Sequence, residues 1–174
     1  MQRILDKEDL VLRAMAEAVD ISEYGSNWLI DLANNMISIM KEMGAVGVAA
    51  PQIGVSKRVI VFGTTYTKNR KIDIPVPDTV LINPSLKVLS EEIQIGYEGC
   101  LNCGDLRGEV PRAMEIEYSG YDLHGTFFSK RASGLEARIV QHEIDHLNGI
   151  LFFDQVKDKR TLITASELQS RSSS

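Results

Sequence analysis

Apolar residues recur every three or four positions in two long segments of the chain, which is the spacing of an amphipathic helix. The first segment is 27–43, preceded by Ser26 as N-cap and followed by Gly44 as a stop. The second segment, 134–147, carries two apolar faces, and this predicts a largely buried helix. A weaker stripe predicts a third, short helix over residues 6–19.

Short apolar runs between these helices predict β-strands, and an adjacent pair of them forms a predicted hairpin with its turn near residues 122–125. We therefore predict an α+β fold, with short and mostly antiparallel strands packed around the helix over 134–147. We expect one domain over residues 1–156 and a polar, partly disordered tail over residues 157–174. The predicted strands are 58–62, 80–83, 86–89, 92–95, 113–121, 125–131 and 150–156.

Composition narrows the classes of protein to which the chain can belong. A length of 174 residues, with 44% hydrophobic and 25% charged residues, suits one globular domain. The net charge of −5 argues against a surface that binds nucleic acid, and no apolar run reaches the roughly 20 residues of a membrane helix. Residues 1–12 mix charged and isolated apolar residues, unlike a signal or transit peptide, so we expect a cytoplasmic protein.

The predicted helix over 134–147 contains the pattern H-E-x-x-H, formed by His142, Glu143 and His146. Histidines four positions apart lie on the same helix face, where both imidazoles can bind one metal ion. Glu143 projects beside that ion and can exchange protons with a water that the metal activates. These residues predict a metal centre, and the predicted helix is its central, metal-bearing element.

A catalytic metal usually has three protein ligands, and the pattern supplies two of them. Cys100, Cys103 and Glu167 are the candidates for the third. Glu167 would make the chain a zinc peptidase, whereas both cysteines together would make a closed structural Cys2His2 site without catalysis. The residue types alone leave these alternatives open.

Three separated segments, 44–54, 98–101 and 141–146, together resemble peptide deformylase. They correspond in order to the family motifs G-x-G-x-A-A-x-Q, E-G-C-L-S and Q-H-E-x-D-H. The similarity extends over most of the chain and includes Asn83-Pro84, Arg107 and the sequence Val110-Pro111-Arg112.

This resemblance implies that Cys100 is the third ligand, beside His142 and His146. It implies hydrolysis of the formyl group on the N-terminal formyl-methionine of newly made proteins, with Glu143 as the base. The side-chain amide of Gln52 and the backbone N–H of Leu101 would stabilise the oxyanion. One divalent ion is expected, Fe²⁺ in the cell, with Zn²⁺, Ni²⁺ or Co²⁺ able to replace it.

The resemblance also suggests how the site is lined and supported. Glu98 and Arg112 are expected to pair beside the Cys100 loop, and Asp145 is the nearest charged candidate to hold a metal-bound histidine. An apolar methionine pocket is expected along the active helix, with Arg138 at its rim. The residues predicted to contact substrate are Val46, Gly47, Arg107, Leu135, Arg138 and Ile139.

The chain departs from the family pattern directly after Cys100. Asn102 stands where the family usually has serine, and Cys103-Gly104 replace a small apolar residue followed by proline. The expected partners are formyl-methionyl nascent polypeptides and, transiently, the ribosome. The short sequence after Val156 leaves little room for a long C-terminal helix through which to hold a ribosome.

Overall fold

The computed structural model of the chain describes residues 4–67 and 72–172. The described residues form four α-helices and eight β-strands, together with short 3₁₀ helices. The helices are α1 (Asn27–Met43), α2 (Gly134–Leu147), α3 (Phe152–Gln155) and α4 (Ala165–Ser172). The strands are β1 (Gly47–Ala49), β2 (Val59–Phe62), β3 (Thr79–Val88), β4 (Ile93–Glu98), β5 (Leu106–Ala113), β6 (Glu115–Tyr121), β7 (Phe127–Ser133) and β8 (Ile163–Thr164).

The larger sheet is antiparallel, in the order β1-β2-β3-β6-β7, and both of its faces are covered. Strand side chains alternate between faces, so neighbouring residues of β2 enter different cores. Val59 and Val61 pack in a cluster with α1, whereas Ile60 and Phe62 pack in a cluster with α2. This pattern explains why the run Val59–Phe62 is apolar throughout and fully buried.

The smaller sheet has the order β4-β5-β8 and lies against the other side of α2. Gln141 ties α2 to β5, because its Oε1 accepts the Ala113 N–H at 3.1 Å and its Nε2 donates to the Ala113 carbonyl at 3.0 Å. The helix α2 is therefore held between two sheets. Side chains on its different faces can reach both of them.

The two long helices were predicted correctly. Ser26 caps α1 through its side chain, and Gly44 ends the helix in the left-handed conformation at φ 62°. The hairpin of β6 and β7 also agrees with the prediction, with Asp122 accepting backbone N–H bonds in the turn. The α+β architecture around a central helix is confirmed.

Other elements differ from the predictions. The segment 6–19 forms only a 3₁₀ turn over Leu10–Arg13, and Leu10 and Met15 of its apparent stripe are exposed. The segment 150–156, predicted as a strand, contains the short helix α3, with Phe152 buried against β5. Strand β5 was not predicted at all, since its sequence LRGEVPRA mixes charges with glycine and proline.

The described part of the predicted polar tail contains the strand β8 and the helix α4. Ile163 is buried, and β8 pairs with β5 through Leu106↔Thr164 and Arg107↔Ile163. The residues Ser173 and Ser174 of this prediction lie outside the described residues. Within residues 4–67 and 72–172, none of the helices is both long and apolar enough to cross a membrane.

Candidate active site

The donor atoms of Cys100, His142 and His146 converge at one point between α2 and the end of β4. All three lie within 4.8 Å of one another. The Nε2 atom of His146 is 3.3 Å from the Cys100 Sγ and 3.2 Å from the His142 Nε2. The helix supplies the two histidines one turn apart, and the backbone after Glu98 turns to bring Cys100 over them.

The geometry and chemistry of this cluster fit a divalent transition metal. Ligand atoms bonded to one ion at about 2.0–2.3 Å lie roughly 3–4 Å from one another, as these atoms do. Burial lowers the pKa of His146, which favours the neutral imidazole that a metal requires. The neighbouring Cys103 side chain and burial raise the pKa of the Cys100 thiol, so a bound cation is needed to stabilise the thiolate.

A buried network of charged groups holds His142. Its Nδ1 lies 2.8 Å from Glu98 Oε2, and Arg112 donates two hydrogen bonds of 2.9 Å to the same carboxylate. Burial alone would raise the pKa of Glu98, but the bonds from His142 and Arg112 hold it well below its usual range. Arg112 also binds Asp145 at 2.6 Å, so Asp145 supports the network while Glu98 contacts the histidine directly.

Arg138 joins this network and also lines the cavity beside the cluster. Its Nη1 donates to Glu98 Oε1 at 2.7 Å and to the Val110 carbonyl at 3.0 Å, while its Nη2 donates to the Gln94 carbonyl at 2.8 Å. The guanidinium lies against Gly96 of β4, where an added Cβ would be 3.2 Å from the Arg138 Cζ. The charged end of Arg138 therefore braces Glu98 and two strands.

Glu143 lies beside the metal cluster and is 3% exposed. Burial raises its pKa to about 7, which is near the pH at which a proton acceptor and donor works best. Within the described residues, its Oε2 atom is buried without a hydrogen-bond partner. The carboxyl group is therefore available to exchange a proton with a molecule that enters the site.

Gly47 of β1 is packed directly against Glu143. A Cβ added to Gly47 would overlap the carboxylate, lying 2.6 Å from its Cδ atom. Gly47→Ala should therefore displace Glu143 and lower kcat at least tenfold, since small displacements of a catalytic group are costly. Steady-state kinetics with a measured metal content will test this, and an unchanged kcat at full metal occupancy would contradict it.

Gln52 and Leu101 approach the cluster from two loops that flank it. Gln52 is 2% exposed, and its Nε2 donates to Cys100 Sγ at 3.2 Å. Leu101 follows Cys100 at the start of a 3₁₀ turn. Both residues line the same cavity as Glu143.

The cavity beside these residues has a volume of about 660 Å³. Its walls include α2, the segment before β1 and the loop after β4. Val46 and Leu135 are half-buried and pack on the core, while Arg107 lies against Gly99 and donates to the Gly104 and Leu106 carbonyls. The structure brings all six residues predicted to contact substrate to this cavity: Val46, Gly47, Arg107, Leu135, Arg138 and Ile139.

The alternative third ligands do not join the cluster. Glu167 is exposed at the start of α4, where its Oε2 accepts the Thr164 N–H at 2.7 Å. Cys103 is buried near Cys100, but the group of donor atoms found among the described residues consists of Cys100, His142 and His146. The peptidase and the closed Cys2His2 site are therefore not supported.

Comparison with known proteins agrees with this geometry. A sequence model of the polypeptide deformylase family matches residues 1–161. Peptide deformylase 2 from Ralstonia nicotianae is 43% identical over 148 residues, covering 84% of this chain and 82% of that protein. The chain belongs to the polypeptide deformylase family.

Solved structures of deformylases share the fold. The class I type b peptide deformylase from Acinetobacter baumannii, bound to Met-Ala-Ser, has a TM-score of 0.80 and 37% identity, covering 88% of this chain and 97% of that one. Peptide deformylase 1B from Arabidopsis thaliana has a TM-score of 0.77 and 32% identity, covering 96% and 84%. The chain is accordingly a hydrolase that removes the N-terminal formyl group from newly made peptides, and the family implies a divalent metal.

Sequence reasoning named Glu98 and Arg138 but missed the contacts that they make in this deformylase site. Glu98 is the partner of His142, although 44 positions separate them in the chain, and Arg138 binds the same carboxylate. The motif E-G-C-L places a carboxylate two positions before the cysteine ligand, and this was the available signal for Glu98. The orientation of Arg138, which lies on α2, depends on its contact with Gly96 of β4. No pattern in the local sequence indicates that these two elements are in contact.

Proposed function

We propose that Cys100, His142 and His146 hold the metal ion and that Glu143, Gln52 and Leu101 carry out deformylation around it. The convergence of the three donor atoms beside the buried carboxyl of Glu143 carries this proposal. When bound, the divalent ion supplies Lewis acidity, which polarises a carbonyl group and lowers the pKa of water.

Glu143 accepts the proton of the attacking water at one carboxylate oxygen. The water oxygen bonds to the formyl carbon, and the carbonyl oxygen acquires negative charge. The Gln52 Nε2 group and the Leu101 backbone N–H donate hydrogen bonds to that oxygen. Glu143 then returns the proton to the peptide nitrogen as the C–N bond breaks, which leaves a free amine and formic acid, and the acid loses its proton to the solvent to give formate.

The substrate enters the cavity with its methionine side chain against the apolar residues of α2. Leu135 and Ile139 lie one helical turn apart and line the cavity with Val46. Arg107, which lies against Gly99, offers hydrogen-bond donors to the peptide that follows the methionine. The Acinetobacter baumannii relative was solved with Met-Ala-Ser bound, which is consistent with a methionine-led peptide occupying such a cavity.

Fe²⁺ is the proposed working metal, with Zn²⁺, Ni²⁺ or Co²⁺ able to occupy the same site. One thiolate and two imidazoles accept all four of these ions, so cellular supply selects among them. The proposed location is the cytoplasm, where nascent chains carry formyl-methionine, and a transient contact with the ribosome would deliver them.

Formate release from a formyl-Met-Ala-Ser peptide tests the proposal directly. Protein reconstituted anaerobically with Fe²⁺ should release one formate per free amine formed, while chelator-treated protein should release none. The same protein reloaded with Ni²⁺, Co²⁺ or Zn²⁺ should regain activity to different degrees. No release by the Fe²⁺- or Ni²⁺-loaded protein would contradict the catalytic role of this site.

A further inference from the structure

Asn102 stands where the family pattern usually has serine, and it binds two different segments beside the metal cluster. It lies in the 3₁₀ turn after Cys100 and is 5% exposed. Its Nδ2 donates to the Leu5 carbonyl at 2.7 Å and lies 3.4 Å from the Gln52 carbonyl. Its Oδ1 accepts a hydrogen bond of 2.7 Å from the Gln52 Nε2.

These contacts allow only one orientation of the Asn102 amide. Both atoms facing Nδ2 are carbonyl oxygens, so a flipped amide would place oxygen against oxygen. The same flip would place Nδ2 against the Gln52 Nε2, donor against donor. The Oδ1 atom is therefore directed at Gln52 by contacts on the far side of Asn102.

Hydrogen bonds also fix the orientation of the Gln52 side-chain amide. Its Oε1 accepts the Ala49 N–H at 2.7 Å, and this places Nε2 at the opposite end, toward the cluster. One hydrogen of Nε2 is taken by Asn102, and the other is directed at Cys100 Sγ at 3.2 Å. Two buried amides thus form a chain of hydrogen bonds with one polarity, from the Ala49 N–H to the Leu5 carbonyl.

We propose that Asn102 is a positioning residue that fixes the Gln52 amide, so that the second N–H of Gln52 stays on the side of the metal cluster, against the Cys100 Sγ, where it can also donate to the reacting oxygen. This inference rests on the proposed role of Gln52 as an oxyanion donor. An oxyanion donor is effective only when it is already aimed at the oxygen. A serine at this position would have one hydroxyl on a shorter side chain with which to serve both Leu5 and Gln52.

The decisive test is a double-mutant cycle between Asn102→Ala and Gln52→Leu, with each protein assayed at full metal occupancy. Asn102→Ala should lower kcat about tenfold with little change in KM, since a misaligned donor loses part of the 10²–10³ that such a donor contributes. In the Gln52→Leu protein, the same substitution should lower kcat no further, because Asn102 acts through Gln52. Asn102→Ser should fall between alanine and wild type.

Asn83 provides a matched control for loss of a structural asparagine. Its amide also joins two segments, accepting the Val19 N–H at 2.9 Å and donating to the Val19 carbonyl at 2.9 Å. Asn83→Ala should lower Tm while leaving the kcat and KM of the folded enzyme unchanged. A similar drop in kcat in this control would overturn the proposal, because destabilisation alone would then explain the Asn102 result.

A spectroscopic measurement gives a readout independent of turnover. In the zinc-loaded protein, the two side-chain NH₂ signals of Gln52 should move in Asn102→Ser, and the Gln52→Leu protein will assign them by their loss. Two results would overturn the role of Asn102. One is that the Gln52 signals do not move in Asn102→Ser. The other is that Asn102→Ala lowers kcat by the same factor in the wild-type protein and in the Gln52→Leu protein. If Gln52→Leu kept full activity, Gln52 would have no role in the mechanism, and the positioning role of Asn102 would fail with it. Formate release by the wild-type protein would still support deformylation.

Discussion

Cys100→Ser should yield a protein that binds no stoichiometric metal and releases no measurable formate. The serine hydroxyl keeps the size of the side chain but does not ionise near neutral pH, so it cannot replace a thiolate as a ligand to the ion. Two histidines on one helix then remain, and their affinity for the ion should be much lower. Metal content measured after gel filtration, together with formate release, will check both parts of this expectation.

Cys103→Ser is the matched control for this substitution. Both cysteines are 7% exposed, and they lie in the same loop three positions apart. Since Cys103 is outside the donor group, its serine variant should keep one metal ion per chain and a kcat within a few-fold of wild type. If Cys103→Ser lost the ion as completely as Cys100→Ser, the two cysteines would act together, as in a closed site.

Glu143→Gln should lower kcat by about 10²–10⁴ while leaving metal content unchanged, since glutamine keeps the shape of the side chain but cannot carry the proton. Single-turnover formate release will measure the loss. A Glu143→Gln protein with wild-type kcat would show that another group exchanges the proton.

The same substitution should raise the stability of the metal-free protein at high pH. The pKa of Glu143 is about 7 in the fold, against an ordinary value of 4.5, so folding favours the protonated carboxyl. The associated stability is fully present below pH 4.5 and is lost as pH rises to about 7. Urea denaturation should therefore show no advantage for glutamine at pH 4.5 and an advantage of roughly 3 kcal/mol above pH 7.

The parts of this fold that could be predicted from sequence are those in which local signals agree. Helix α1 has a capping serine, a regular apolar stripe and a terminal glycine, and all three determine its boundaries. The segment 6–19 has a stripe but no comparable set of signals, and Leu12 packs there from a short 3₁₀ turn. The apolar periodicity alone was insufficient to predict this segment, because contacts with distant elements decide the conformation of residues 6–19.

Strand β5 shows the opposite case, in which tertiary pairing overrides a poor local pattern. Its Pro111 pairs in register with Ile95, and Gly108 is packed tightly against Leu162 and Val156.

The metal-binding motif could be predicted from the sequence because His142 and His146 lie close together on one helix. The contact of His142 with Glu98 could not be predicted in this way, because it depends on the relative placement of α2 and β4.

The contacts of Leu5 have a practical consequence for work with recombinant protein. Its N–H donates to the Gln52 carbonyl at 2.9 Å, and its carbonyl accepts the bond from Asn102. A truncation that removed Leu5 would leave the Gln52 carbonyl and the Asn102 Nδ2 without these bonds. Kinetic measurements should therefore be made on protein that retains Leu5.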